Sequence, residues 1–190
     1  MRALSFEYNG IAESELRSAR AIAARAGVLE HRVVRLPDLK EASNIPHFRP
    51  PRLPPTYIPL RNSIFYSFAA SYAEETAASA IVGGHNRDDT GVFADVSSEF
   101  FDSLENAFLS GSLILRRNRL RILRPLIGKR KPEVIRLAAL LEVPLELTWS
   151  CHLDSKEHCW RCDGCRSRMR SFAKAGIRDP LALTELGKIA

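Results

Sequence analysis

The chain has 190 residues, 45% of them hydrophobic, and 28 Lys and Arg stand against 22 Asp and Glu for a formal net charge of +6. That size and apolar content suit one α/β domain with a real core and a small appendage. No apolar run approaches the length of a membrane-spanning helix, and Met1–Phe6 lack the apolar stretch and cleavage pattern of a secretory leader, so a cytoplasmic location is expected. The basic excess (pI near 9.4) favours anionic partners, whether nucleotides, phosphates or RNA, without choosing among them.

In chain order, Ala3–Tyr8 reads as a short strand closed by an Asn9–Gly10 turn. From Glu13 to Ala26, Leu16, Ala19, Ile22, Ala23 and Ala26 share one helical face, and Gly27 is placed to end the helix. His31–Leu36 is a second strand, so strand, helix and strand follow within some thirty residues, the signature of a βαβ unit and a parallel sheet. Residues 37–59 carry Pro46, Pro50, Pro51, Pro54, Pro55 and Pro59 and read as a surface loop, either a lid over a ligand or a plain mobile connection. Asn62 is placed to cap a helix running to Glu74, apolar over much of its circumference and so expected to be buried.

Ala80–Val82 is a brief, buried strand ending in Gly83–Gly84, and the polar cluster His85–Asp89 follows it. Open α/β sheets bind ligands beyond the carboxyl ends of their strands, and glycines there let a ligand approach the backbone. Glu99–Gly111 reads as a helix and Leu120–Leu126 as a strand. Lys131-Pro132-Glu133 opens a helix with Val134, Ile135, Leu137, Ala138 and Leu141 facing inward. Pro144–Trp149 is the last extended segment, and a basic helix runs from Arg166 to Ala175–Gly176. There is no internal repeat and no low-complexity tract.

All four cysteines lie within Cys151–Cys165, with the spacing C-x7-C-x2-C-x2-C. A C-x2-C turn aims two thiolates at one ion, and tetrahedral zinc takes four such ligands. Cys159, Cys162 and Cys165 share one tight turn, which Cys151 completes. Paired disulfides would need an oxidising compartment, to which nothing in the sequence points, and ferredoxin-like iron–sulfur spacings differ from this one. Structural zinc is therefore expected, with His152 and His158 as solvated loop residues. The organisation predicted is an α/β part over residues 1–150 and a four-cysteine zinc-binding segment over 151–190 packed on it.

Taken together, these elements resemble the 7-cyano-7-deazaguanine synthases of the PP-loop ATP pyrophosphatase superfamily. Leu4–Tyr8 with Glu15 is similar to that family's second strand and following helix, and Ile58-Pro59-Leu60-Arg61-Asn62 to its (V/I)PxRN element. Gly83 and Gly84, then Phe93-Ala94-Asp95 with Glu99-Phe100, resemble its G…(Y/F)PD…EF segment. Arg124-Pro125-Leu126 with Lys131 and Glu133 resembles PL…K.E, and Thr148-Trp149-Ser150-Cys151 with the later cysteines resembles its zinc signature.

The resemblance implies an open parallel-sheet, Rossmann-like fold of the adenine nucleotide alpha hydrolase type. It also implies ATP, with Mg²⁺, and a ligase that turns 7-carboxy-7-deazaguanine into the nitrile with ammonia, for the deazaguanine nucleosides of tRNA. On that basis Arg61, Asn62, Gly83, Gly84 and Asp95 would line the substrate or nucleotide pocket, and Lys131 would offset charge on the leaving pyrophosphate. The chain departs from the family in three places. Leu60 stands where the family has glycine, Ala94 stands where it has proline, and no SGGxDS phosphate loop occurs, Met1 standing about where the second strand would begin. Two further readings follow. One is a zinc-stabilised nucleic-acid-binding module using Arg116, Arg117, Arg119, Arg121 and Arg124 with Arg161, Arg166, Arg168 and Arg170. The other is a subunit that completes its site with a partner chain bearing the absent loop; a homodimer is the further partner expected.

Overall fold

The computed structural model describes residues 1–48, 53, 57–91 and 93–185. Its elements in order are β1 (Ala3–Asn9), α1 (Glu13–Arg25), β2 (His31–Lys40), α2 (Arg61–Glu75), β3 (Ala80–Val82), α3 (Arg87–Thr90), α4 (Ser98–Gly111), α5 (Leu113–Arg117), β4 (Arg121–Leu123), α6 (Lys131–Leu140), α7 (Asp163–Ala175) and α8 (Pro180–Glu185). Single 3₁₀ turns lie at Ala42–Asn44, Ala94–Val96 and Leu145–Leu147. The chain divides into two compact units, one of Met1–Asp38 with Lys131–Ala190, the other of Leu39–Arg130.

In the first unit β1 and β2 lie side by side. Leu29 N–H bonds to Met1 O and Ala3 N–H to Glu30 O, so the pairing advances in the same sense along both strands, as parallel strands require. Helix α1 crosses between them, buries Leu16 and Ala23, and ends before Gly27, whose φ of +62° supplies the left-handed turn. Strand β2 extends to Lys40, past the expected end at Leu36. Pro37 fits there because a two-stranded sheet leaves one edge of each strand without ladder bonds. The expected loop therefore starts later and holds a 3₁₀ turn, and its Pro50, Pro51, Pro54 and Pro55 lie outside the described residues.

Two expectations for this unit need correction. Residues Pro144–Trp149 are not extended. Leu145–Leu147 form a 3₁₀ turn, because Leu145 O accepts from Thr148 N–H, Thr148 Oγ1 and Arg168 Nη2 at 3.2, 2.6 and 3.2 Å. Leu141 does not face inward. It follows the end of α6 and is 65% exposed, whereas Val134, Ile135, Leu137 and Ala138 are half-buried. Arg136 of α6 donates to Lys174 O and Ala175 O at the carboxyl end of α7, where a cation meets the negative pole of the helix. Arg168 of α7, buried to 6% exposure, forms a fork with Asp179 at 2.6 and 2.8 Å and also donates to Thr148 Oγ1. A buried guanidinium of this kind serves the fold, so Arg168 is not part of a nucleic-acid-binding surface.

In the second unit β3 and β4 pair in parallel, with Ala80, Ile81 and Val82 opposite Arg121, Ile122 and Leu123. Ile81 and Ile122 face the core, which is built from Tyr66, Val96, Phe101 and Ile122, with Phe100 and Phe108 against it. A second cluster joins Ala70, Ala73, Leu115 and Leu120. β3 is not fully buried as expected, since Ala80 and Val82 alternate to the outer face and Val82 is 62% exposed. α2 is likewise two-sided, with Tyr66, Ala70 and Ala73 buried and Phe68 42% exposed. Glu105 of α4 takes the Ile122 N–H with one oxygen and Arg121 with the other, covering an edge of β4.

Candidate functional site

Among the described residues two clusters of chemistry-bearing side chains form, one in each unit. In the first unit, the sulfurs of Cys151, Cys159, Cys162 and Cys165 all lie within 4.8 Å of one another. Cys159 Sγ and Cys165 Sγ are 3.9 Å apart, as are Cys151 Sγ and Cys162 Sγ. Four sulfurs at tetrahedral corners 2.3 Å from a metal would be about 3.8 Å apart, whereas a disulfide would bring two of them to about 2.05 Å. The cysteines are free, and their spacing fits a metal tetrahedron.

Backbone N–H groups point at the sulfurs, from Leu153 to Cys151, from Cys162 to Cys159 and from Cys165 to Cys162, at 3.3–3.5 Å. Arg161 N–H beside Cys159 brings its thiol down to about 6, while burial pushes the thiols of Cys151 and Cys165 up. Gly164 is required at its place, because a Cβ there would lie 2.0 Å from Ser150 O.

His158 is not the solvated residue expected. It is 4% exposed, its Nε2 accepts from Ser150 N–H at 3.1 Å, and it lies between the rings of Trp149 and Trp160, 4.3 and 5.2 Å away. It braces the cysteine loop without serving as a ligand. His152 is exposed, as expected. The loop is tied to α1 through Asp154, whose Oδ1 accepts from both Ser14 N–H and Ser14 Oγ at 3.1 and 3.0 Å. No side chain at the start of α1 caps it, so Asp154 supplies the carboxylate that the helix N-terminus attracts.

The second unit gathers five of the six other expected site residues. Arg61 and Asn62 open α2, and Gly83 and Gly84 follow β3. Asp95 sits in the 3₁₀ turn after Phe93, while Lys131 opens α6 in the first unit. Asn62 does not cap α2 as expected. It is the second helical residue, its N–H donates to Asp95 Oδ2 at 3.2 Å, and its Nδ2 donates to Asp95 O at 3.0 Å. Asp95 is therefore the remote cap of α2, and its Oδ1 has no protein partner among the described residues. The Arg61 guanidinium likewise has none there.

Leu60, immediately before α2, is left-handed at φ +50° and 61% exposed, so the turn that the family pattern gives to glycine is kept by a residue that strains in it. Leu60→Gly should raise the unfolding free energy by about 1 kcal/mol, read by denaturant titration. An unchanged midpoint would show that the strain is absorbed elsewhere.

Sequence reading passed over Tyr66 as a site residue, since a tyrosine in an apolar helix reads as core. Its hydroxyl lies 3.0 Å from His85 Nε2, and a Cβ on Gly83 would meet that hydroxyl at 1.8 Å. Burial pushes the phenol up to about 12, against the lowering effect of the Arg124 guanidinium. Burial also lowers His85, which the charges of Asp89 and Asp95 raise and that of Arg61 lowers further. The neutral forms of both side chains are thus the stable ones near pH 7.

Arg124 follows β4 directly and pairs with Asp102 at 2.8 Å. Arg121 pairs with Glu105, and Arg116 donates to Leu109 O. The arginines of this segment are thus partly spent within the fold.

The family model described as queuosine biosynthesis protein QueC matches residues 1–176. A 7-cyano-7-deazaguanine synthase from Nostoc punctiforme is 36% identical over 194 residues, covering 94% of this chain and 86% of that one. The enzyme of that name from Thermosynechococcus vestitus is 36% identical, with 94% of this chain and 83% of that one covered. The one from Thermoplasma volcanium is 40% identical over 129 residues, 68% of this chain and 54% of that one.

Proposed function

The chain belongs to the QueC family of queuosine biosynthesis proteins, and from that membership we propose that it is a 7-cyano-7-deazaguanine synthase-type ligase acting on a deazapurine acid. The reaction would take 7-carboxy-7-deazaguanine to the nitrile with ATP and ammonia, on the way to the deazaguanine nucleosides of tRNA. The fold would be the adenine nucleotide alpha hydrolase type over residues 1–150. The segment 151–190 would pack on it, a reading that the contact of Ser14 with Asp154 supports. No described helix is long and apolar enough to cross a membrane, and a cytoplasmic setting is part of the proposal.

The observation that carries this reading is the corner beyond the carboxyl ends of β3 and β4. There Arg61, with no protein partner among the described residues, shares an electrostatic field with Asp95 and His85. A guanidinium fork binds a carboxylate through paired N–H donors. A carboxylate at Asp95 would accept from the ring N–H groups of a guanine-like base. Gly84, where a Cβ would meet nothing within 4 Å, would give the ligand room against the backbone, while the space at Gly83 is taken by the Tyr66 hydroxyl. Zinc fits the four sulfurs, and there it would be a closed structural ion, joining Cys151 to the turn that starts α7.

A triphosphate is not fitted by the residues described. Gly83–Gly84 is the only glycine pair in the chain, and Asp88 and Asp89 follow it in the first turn of α3. A role for Lys131 toward pyrophosphate, with Mg²⁺, is a proposal from the family pattern. A loop-bearing partner chain would complete the phosphate site, and a homodimer is the other assembly we propose.

Calorimetric titration of the zinc-loaded chain with 7-carboxy-7-deazaguanine tests the reading. Binding is expected, and Arg61→Leu should weaken it by roughly 10- to 100-fold, the range for losing hydrogen bonds to a charged group. No heat from the folded protein would rule the substrate class out. Salt-dependent binding of RNA in its place would favour the nucleic-acid module.

A further inference from the structure

Tyr66 is 6% exposed, and among the described residues its hydroxyl has one hydrogen-bond partner, His85 Nε2. A buried O–H has to find an acceptor. If the imidazole were protonated on Nε2, it would donate to the phenol oxygen and leave the phenol proton with nothing to bond. If the phenol donates to Nε2, both groups are satisfied and the ring proton sits on Nδ1. The second arrangement wins, because an unpaired buried donor costs more than a hydrogen bond returns.

The ring is also fixed in place. Phe101 lies 4.7 Å from it, the Tyr66 ring lies at 5.8 Å, and Gly83 leaves the phenol oxygen space against the backbone. Nδ1 has no protein partner among the described residues. His85 is half-buried, and its Nδ1 is not one of the buried side-chain atoms that lack a partner among the described residues, Arg124 Nη1 and Trp160 Nε1, so it reaches solvent. His85 thus presents one N–H outward at the carboxyl end of β3. The charged groups acting on it are Asp89, Asp95 and Arg61. Two carboxylates against one guanidinium disfavour an anionic acceptor at Nδ1 and suit a neutral one.

We propose that His85 is a specificity-determining residue that donates its Nδ1–H to the ring carbonyl oxygen of an oxopurine-like ligand, and that Tyr66 is the positioning residue that holds this tautomer. The proposal rests on the reading that this corner takes a deazaguanine acid, and it names how the base is told from its amino counterpart. A 6-oxo, 2-amino ring offers an acceptor beside N–H donors. His85 Nδ1–H and Asp95 Oδ1 offer the complementary donor and acceptor, both open. A 6-amino ring would set its own donor against Nδ1–H and leave both unpaired.

The test combines tautomer and affinity on the zinc-loaded full chain. Long-range ¹H–¹⁵N spectra of the imidazoles, with the His85 signals assigned by their loss in His85→Asn, are expected to show a protonated Nδ1 and a bare Nε2 near pH 7. Tyr66→Phe should shift the ring toward the other tautomer, a change that a merely structural tyrosine would not cause. A wild-type ring protonated on Nε2 overturns the proposal without any variant.

Calorimetry then compares 7-carboxy-7-deazaguanine with 7-carboxy-7-deazaadenine. The oxo acid should bind at least about 100-fold more tightly. His85→Ala should weaken the oxo acid about tenfold and narrow the gap, and His85→Asn, whose amide nitrogen sits near the place of Nδ1, should restore part of it. Binding of the oxo acid with unmoved His85 signals and an unchanged gap in His85→Ala would sink this inference and leave the substrate reading standing. Shifts of His85 with pyrophosphate instead would assign the ring to phosphate and also overturn it. No binding of the oxo acid to the wild type would end both.

Discussion

Cys162→Ser is expected to abolish stoichiometric zinc binding and to unfold the loop 151–165 together with the start of α7. Cys162 is central in three ways. Two intervening residues separate it from both Cys159 and Cys165, its Sγ is 3.9 Å from that of Cys151, and as the residue before α7 its sulfur accepts from Cys165 N–H. Metal binding by such sites is worth about 10–16 kcal/mol, and because the unfolded chain holds no formed site, that free energy is folding free energy. Losing one of four ligands should therefore cost several kcal/mol, more than most single core truncations.

The damage should spread along a defined route. The α1 N-terminus would lose Asp154, and the stack of His158 between Trp149 and Trp160 would lose its frame. Zinc content by elemental analysis and amide exchange across residues 151–175 check the result. Acid should release the metal from the wild type as well, since protons and zinc compete for the same thiolates. One zinc per chain is the expected baseline, and gently purified protein with four free thiols and no metal would remove the premise.

The 190-residue chain by itself is expected to release pyrophosphate from ATP at a rate at least roughly 10⁴-fold below that of a form joined to an SGGxDS-bearing segment. Activating a carboxylate as an adenylate requires the α-phosphorus to be held in line with it and donors to be in place for the leaving pyrophosphate. Backbone N–H groups of a glycine-rich loop at a helix N-terminus do this by combining fixed donors with the helix dipole. None of the ten glycines here lies in such a segment.

The nearest substitute, Gly83–Gly84, leads into a four-residue helix whose first turn carries Asp88 and Asp89, a field that repels phosphate. The arginines attract ATP, but attraction without orientation adds little rate. Each lost donor of this type costs about 10²–10³ in rate, and the loop supplies more than one. Pyrophosphate release and amidation by the short chain, the extended chain and the short chain mixed with a separate loop-bearing protein separate the cases. Turnover by the short chain alone at the extended form's rate would refute the argument, and recovery on mixing would identify a partner-completed enzyme.

The cysteine cluster was legible in the sequence because it is local. The C-x2-C spacing sets sulfur positions through a few backbone dihedrals, and Cys151–Cys165 folds into the cluster that the spacing implies. Helices α1, α4 and α7 were legible for a similar reason, since periodic apolar residues and end signals such as Gly27 and Gly176 act within a turn or two. The family pattern carried Arg61, Asn62, Gly83, Gly84 and Asp95, but their chemistry could not be read from it.

What only the tertiary structure decided are the interactions between residues far apart in the chain. Two helices lack a cap of their own, and a remote aspartate supplies each. Asp154 lies 140 residues from Ser14, and Asp95 lies 33 from Asn62. A helix N-terminus accepts any carboxylate delivered to it, so its own sequence does not name the donor. Pro144–Trp149 looked extended until Arg168, held by Asp179, bonded Leu145 O and fixed a 3₁₀ turn. Tyr66 read as core until the parallel pairing of β3 and β4 brought Gly83 and His85 over its hydroxyl. Hydrogen bonds are short-ranged and directional, so a residue's partner, and with it its protonation state and chemical use, exists only once packing has placed the two groups within about 3 Å.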